Sequence, residues 1–459
     1  MSSQYEGVIK MVRFLGSVAA LLWLLPAGIV VAAEAAPAQP APPAGAETAA
    51  PAASQPPEIE EAHKIFRAGD LDKAMKTLQA AIQKNPDLSP PQVIMAKWFA
   101  AANQGEMVRG ALERATVSAP NDPEAFQILG DVAMRNRQVT EAGLLFEKAY
   151  AVARNLKEPG PRIASIKRRA LAGLAMVAEA RQDWPGAQTQ LEALVAEDPK
   201  DASALQQLGH VLFMQKKEDL ALEKLREAAK LNPSLLGAEA TVAQLYQQAG
   251  DVKNAGKWML EAIKANPRDA KTRVTAAQWS FEIGKLDQAE EQAKAAVQLE
   301  PESLNCQLVR GLVALLRKDY KTAEEFYGKA HLQAPSNFTA TNNLALALAG
   351  QEEESKKRLG LEYAQVNARV YPDQSEAFST AGWALYRIGR IDEAEVNLRK
   401  AASLPRPSPD TFYFLARVAL DRGRKDEAKM ILQVPALKSS MPYLMRKEAE
   451  SLIEELSGR

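Results

Sequence analysis

The chain has 459 residues, 47% hydrophobic, 25% charged and 6% aromatic, enough apolar material for about three ordinary domains or one long repeat array. Lys+Arg and Asp+Glu both number 57, so no excess positive field exists to hold nucleic acid or an anionic membrane surface. A single cysteine, Cys306, and three scattered histidines, His63, His210 and His331, exclude an intramolecular disulfide and the usual Cys/His zinc site.

Residues 1–33 read as an export segment. Phe14 to Ala33 carry no charge and follow Lys10 and Arg13, and the densest apolar part, Val18 to Leu25, precedes Pro26. Val31 and Ala33, or Ala33 and Ala35, meet the small-x-small demand of a signal peptidase, so a mature chain would begin near Glu34 or Ala36. The same stretch, residues 14–33, is long enough to span a bilayer as an uncleaved anchor, although Gly16, Pro26 and Gly28 weaken a continuous helix. A start at Met11 in place of Met1 would give a signal of more usual length, and no cysteine follows the apolar run, which excludes a bacterial lipoprotein. The protein is therefore expected outside the cytoplasm, periplasmic or extracellular, touching a membrane only through this segment. Residues 34–57 form a linker, since 17 of these 24 positions are Ala or Pro, and its seven prolines favour an extended spacer.

From residue 58 to residue 440 the sequence repeats. Pro199, Pro233, Pro267, Pro301 and Pro335 are each 34 residues apart, and Pro86 and Pro120 keep the same spacing. Twelve residues before most of them lies a small residue, as at Ala74, Ala187, Ala221, Ala255, Ala289 and Ala323; five before lies another, as at Ala81, Ala115, Ala228, Ala262, Ala296 and Ala330. Two helices per unit, A and B, follow from this pattern, with small residues where their backbones approach most closely. Gly69, Gly250, Gly284, Gly389 and Gly423 fall in the turn between them, where a left-handed residue costs least without a Cβ. Eleven units are placed, beginning near residues 55, 89, 123, 168, 202, 236, 270, 304, 338, 375 and 409. Units two and nine depart from the pattern, with Val108 and Gly360 where the first helix-B alanine belongs. Residues 157–167 and 351–357 contain insertions expected to be loops or helix extensions. Pro435 truncates the last unit, and residues 441–459 supply one more amphipathic helix over Met441 to Leu456, with Met445, Ala449, Leu452, Ile453 and Leu456 on its apolar face. Such a helix is expected to cap the exposed end of the array.

The pattern resembles the tetratricopeptide repeat, seen best in unit three (Phe126, Leu129, Gly130, Ala142, Phe146, Ala149) and unit five (Leu205, Leu208, Gly209, Ala221, Leu225, Ala228, Pro233). The resemblance implies an all-α fold, a tetratricopeptide α-solenoid built as a right-handed superhelix of helix-turn-helix repeats and closed by the C-terminal capping helix. It also implies a concave face lined by helix-A positions two, five, nine and twelve. In units five to seven these positions bring Gln206, His210, Phe213, Gln244, Gln247, Gln278 and Phe281, an amide-rich strip. In units eight to eleven they bring Leu308, Leu312, Leu315, Asn342, Leu346, Trp383, Tyr386, Tyr413 and Arg417, a more apolar and aromatic strip. Trp383 and Tyr386 lie one turn apart and, with Tyr413, are expected to form one aromatic patch rimmed by Arg417. The leucines have a second reading, burial against neighbouring units.

No catalytic, cofactor or metal set emerges. Gly250 to Lys257 imitates a phosphate loop but has five residues between its glycines and Trp258 where Ser or Thr must follow. Asn337-Phe338-Thr339 has the form of a glycosylation acceptor in an inter-repeat loop. The expected function is a non-enzymatic scaffold that binds an extended peptide or partner protein during assembly of an envelope or secreted complex, a context in which resembling exported bacterial proteins occur with polysaccharide-export machinery. The alternatives are an accessory or hydrolase site in the 157–167 insertion, and a carbohydrate binder that stacks sugars on Trp383 and Tyr386.

Overall fold

The computed structural model describes residues 56–157, 160–438 and 442–458; the export segment and almost all of the linker lie outside them. Among the described residues the regular structure is entirely helical: eleven consecutive A/B pairs, a short 3-10 helix at Pro435–Lys438 and a final α-helix. They divide into two units, one up to Ala262 and one from Ile263. The first holds α1 (Pro57–Arg67), α2 (Leu71–Lys84), α3 (Pro91–Ala101), α4 (Gly105–Ser118), α5 (Glu124–Arg135), α6 (Val139–Arg154), α7 (Pro161–Ala180), α8 (Trp184–Glu197), α9 (Ala202–Met214), α10 (Glu218–Leu231) and α11 (Ala238–Gln248), and α12 (Val252–Ala265) runs across the division. The second holds α13 (Ala270–Glu282), α14 (Leu286–Leu299), α15 (Leu304–Leu316), α16 (Tyr320–Gln333), α17 (Phe338–Gly350), α18 (Glu354–Val370), α19 (Ser375–Arg387), α20 (Ile391–Ser403), α21 (Pro409–Asp421), α22 (Lys425–Leu432) and α23 (Arg446–Ser457).

Each pair is built by the same local devices. Asp70, Asp183 and Asp319 cap helix B by accepting the backbone N–H three residues on, and Asp201, Asp269 and Asn337 do the same for helix A. Asn337, 7% exposed, is thereby occupied as a cap, so its tripeptide does not present a free glycosylation acceptor. The five turn glycines have φ from 72° to 89°. In the corresponding turns of other pairs Asn103, Arg137, Gln182, Lys216 and Lys318 take φ of 56° to 61°, so the turn is kept where glycine is absent. The helix-B alanines, such as Ala221, Ala228, Ala323 and Ala330, are at most 1% exposed. Gly360 replaces one of them because α18 approaches α17 closely: a Cβ there would sit 2.9 Å from the Ala345 carbonyl oxygen and from the Ala349 nitrogen.

Unit four differs from the expected start at residue 168. Part of the insertion extends α7 at its N-terminus, with Pro161 at its first turn and Ile166 buried. Arg162 on this extension ties neighbouring repeats together. Its guanidinium donates to Asp122 Oδ2 at 2.6 Å, Glu124 Oε2 at 2.9 Å and the Asp87 carbonyl at 2.9 Å, while Lys97 reaches the other Glu124 oxygen at 2.6 Å. The cap also starts later than expected. Tyr443, Leu444 and Met445 precede α23 as buried non-helical residues, and Ala449, Leu452 and Leu456 form its buried face. Met441 lies outside the described residues.

Candidate partner-binding surface

The helix-A positions singled out by the sequence differ in exposure from repeat to repeat. In the first unit, Gln244 on α11 is exposed, and His210 and Phe213 on α9 and Gln247 on α11 are half-buried. Phe213 packs edge-on against Tyr246 at 4.8 Å, and the Tyr246 hydroxyl donates to Glu218. Burial, together with this bond to a carboxylate, pushes the Tyr246 hydroxyl up to about 12. His210 Nδ1 lies 3.8 Å from Glu179 Oε2 at the end of α7, with the Trp184 ring edge-on to the imidazole at 6.4 Å. Loss of water raises the Glu179 carboxyl to about 7, so that it changes charge near neutrality, and lowers His210. Glu179 was not singled out from the sequence, yet it is position twelve of unit four and the position rule reaches it.

In the second unit Gln278 is half-buried, but Phe281 is only 2% exposed and packs among Val274, Ala277 and Ala289. Leu308, Leu312 and Leu315 are core residues, as their second reading held. The aromatic patch differs from expectation in exposure. Trp383 and Tyr413 are each 7% exposed and Asn342 is enclosed, while Leu346, Tyr386 and Arg417 are half-buried. The Trp383 ring is stacked on Tyr386 at 5.2 Å and on Phe414 at 4.2 Å, and at 7% exposure it offers no platform for a sugar. Tyr386 donates to Asp421 Oδ2 at 2.7 Å, and Arg417 lies beside the same hydroxyl, which helps to raise the Arg417 pKa against its partial burial. Phe281, Asn342, Trp383 and Tyr413 are thus not freely presented to a partner.

The chain's own C-terminal stretch reaches this group at two points. Asp410, position two of unit eleven, accepts the backbone N–H groups of Leu444 at 3.2 Å and Met445 at 2.7 Å, and Glu448 on α23 forms an ion pair with Lys318 in the α15–α16 turn. Loss of water around the Asp410 carboxylate pushes it up to about 6, against the pull of these two bonds.

The remaining sequence candidates have structural roles. The Cys306 thiol is buried, which pushes its pKa up and away from a nucleophilic thiolate. His331 Nδ1 lies 2.9 Å from Thr341 Oγ1, and His63 packs on Trp98 at 4.8 Å. Arg162 in the insertion is committed to its carboxylates. Among the described residues no three His, Cys, Asp or Glu side chains converge as a metal site, and no helix is long and apolar enough to cross a membrane.

A family model described as tetratricopeptide repeat matches residues 173–235, 280–334 and 379–429, and a second model of that description matches residues 240–269. Among curated proteins the chain is similar to the cellulose synthase operon protein C of Pseudomonas fluorescens (strain SBW25), with 25% identity over 411 residues, 82% of this chain and 31% of that protein. The chain thus spans less than a third of the length of that relative. Among solved structures it is similar to a tetratricopeptide repeat protein from Parabacteroides merdae ATCC 43184 (14% identity, 64% of this chain and 99% of that one, TM-score 0.39). It is also similar to yeast Tom70 (14% identity, 87% of this chain and 95% of that one, TM-score 0.34).

Proposed function

This chain belongs to the tetratricopeptide-repeat family, and from that premise we propose that it is a non-enzymatic scaffold that holds an extended segment of a partner protein along the helix-A face of repeats five and six. The observation that carries this reading is the contrast between equivalent positions. Position nine is enclosed at Leu312 and Trp383 but half-buried at His210 and exposed at Gln244, whose amide is able to bond a peptide backbone beside the Phe213–Tyr246 pair. Replacing Phe213 and Gln244 together by alanine should weaken partner capture by about 30-fold, the effect of losing a hot spot of about 2 kcal/mol, with helical circular dichroism unchanged. Undiminished capture by the folded variant would overturn this assignment.

The setting proposed is the exported side of a bacterial envelope, in the service of polysaccharide export. It is supported by the apolar, uncharged run of residues 14–33 and by the likeness to a cellulose synthase operon protein, whose name describes that relative and not this chain. N-terminal sequencing of the envelope fraction should find a chain beginning near Glu34 or Ala36, or an intact chain held in membrane by residues 14–33. Intact protein in the cytosol would end both versions.

A further inference from the structure

The C-terminal segment reaches the helix-A face of repeats eight to eleven at two points, in the manner of a bound ligand. Residues 443–445 run onto Asp410, which faces them from the first turn of α21 and takes two of their backbone N–H groups. Within the first turn of α23, Glu448 reaches Lys318 in the turn of repeat eight, so one short helix is pinned to the two ends of this four-repeat stretch. Its apolar face joins the cluster that also contains Leu312, Trp383 and Tyr413. This is the arrangement by which an amphipathic helix docks on an apolar groove, supplied here from within the chain.

The fit is incomplete. Asn342 Oδ1 on this face and Glu448 Oε2 on the covering helix are both enclosed without a hydrogen-bond partner. Enclosed acceptors without donors are a standing cost of the closed arrangement, as is the dehydrated Asp410 carboxylate. The costs at Glu448 and Asp410 are relieved when the segment leaves, or when a better-matched segment takes its place.

We propose that residues 442–458 are a displaceable internal ligand of this face, and that the partner segment replacing them is an amphipathic helix with an acidic side chain in its first turn. The inference rests on the reading of the chain as a peptide-binding scaffold, but it assigns a second surface with its own gate. The acidic residue is required by Lys318, the helix start by the Asp410 carboxylate, and the apolar face by Leu312, Trp383 and Tyr413.

The test uses the full chain carrying Glu448→Lys and Leu452→Asp, which damages the internal ligand and leaves the face unaltered. The probe is a labelled synthetic peptide of residues 442–458. The amides of α23 should lose at least tenfold in hydrogen-exchange protection while α15 to α21 keep theirs, and the peptide should bind the variant at least tenfold more tightly than it binds the unaltered chain. A peptide with Glu448→Lys should bind at least tenfold more weakly, and adding Lys318→Glu to the protein should restore it. Loss of protection throughout α15 to α21 would show the segment to be a fixed part of the fold and overturn the proposal. Equal peptide binding to the variant and the unaltered chain, or no binding to a variant whose α23 is exposed, would also overturn it. The Phe213, Gln244 substitutions, introduced into the same variant, should leave peptide binding unchanged, so the two surfaces fail or succeed separately.

Discussion

Replacing Phe146 by alanine should cost about 3 to 5 kcal/mol, the usual penalty for emptying an aromatic site in a close-packed core, and the damage should stay within repeats three and four. Phe146 on α6 is 1% exposed, and its ring is wedged between Gly130 on α5 and Gly173 on α7. A Cβ at either glycine would come within 2.6 Å or 2.5 Å of the ring, so three helix backbones are spaced around this one side chain. Alanine cannot bridge that space, and the helices cannot close on it without breaking their contacts with Ala142 and Val177 in the same cluster. Hydrogen exchange should report faster opening in α5 to α8 and unchanged protection in α19 and α20. A uniform loss over the whole chain would contradict the nearest-neighbour account of its stability.

Arg162→Ala should cost about 2 to 3 kcal/mol, between the values for breaking a fully buried and an exposed ion pair. The guanidinium is one-quarter exposed; without it the Asp122 carboxylate loses its cation, and Glu124, itself only 7% exposed, keeps Lys97 alone. Burial by itself would raise the Glu124 carboxyl, but Lys97, Ser89 and Arg162 outweigh it, and the folded-state pKa is lowered below its ordinary 4.5. A carboxyl lowered on folding contributes stability above that value and loses it as the pH falls through the folded-state pKa. The penalty of Arg162→Ala should therefore be larger at pH 7 than at pH 3, as read from urea midpoints at the two pH values. Equal penalties would mean that Arg162 acts through the packing of its stem and not through its charge.

The repeat itself was legible because helix pairing is local. A prolyl stop every 34 residues, small side chains such as Gly209 and Ala221 at the closest approach, and glycine in the turn each act within one or two helices, so the linear spacing carries them directly. The turn residues without glycine, such as Gln182 and Lys318, were less visible because any polar side chain can be held left-handed once the flanking helices are packed. The extension of α7 could be read as loop or helix, and only the arrival of Arg162 at Asp122 and Glu124 shows what it holds together.

The candidate surface divides along the same line. Sequence register placed His210, Phe213, Gln244, Trp383 and Tyr413 on one family-defined face, and it also reaches Glu179 and Asp410, which had been passed over. Register states which way a side chain leaves its helix; it does not state what the chain later lays over it. Trp383 and Tyr413 are enclosed through contacts with residues distant in sequence, Trp383 against Phe414 of the next repeat, within a core cluster that also takes in Tyr443, Leu444 and Met445. The sequence by itself determined the helix pairs, their turns and the common face, because these follow from the spacing of residues within one repeat. The tertiary structure alone decided which positions of that face are enclosed, because burial there depends on contacts between repeats, such as Trp383 on Phe414, and on the return of the C-terminal segment to Asp410 and Lys318.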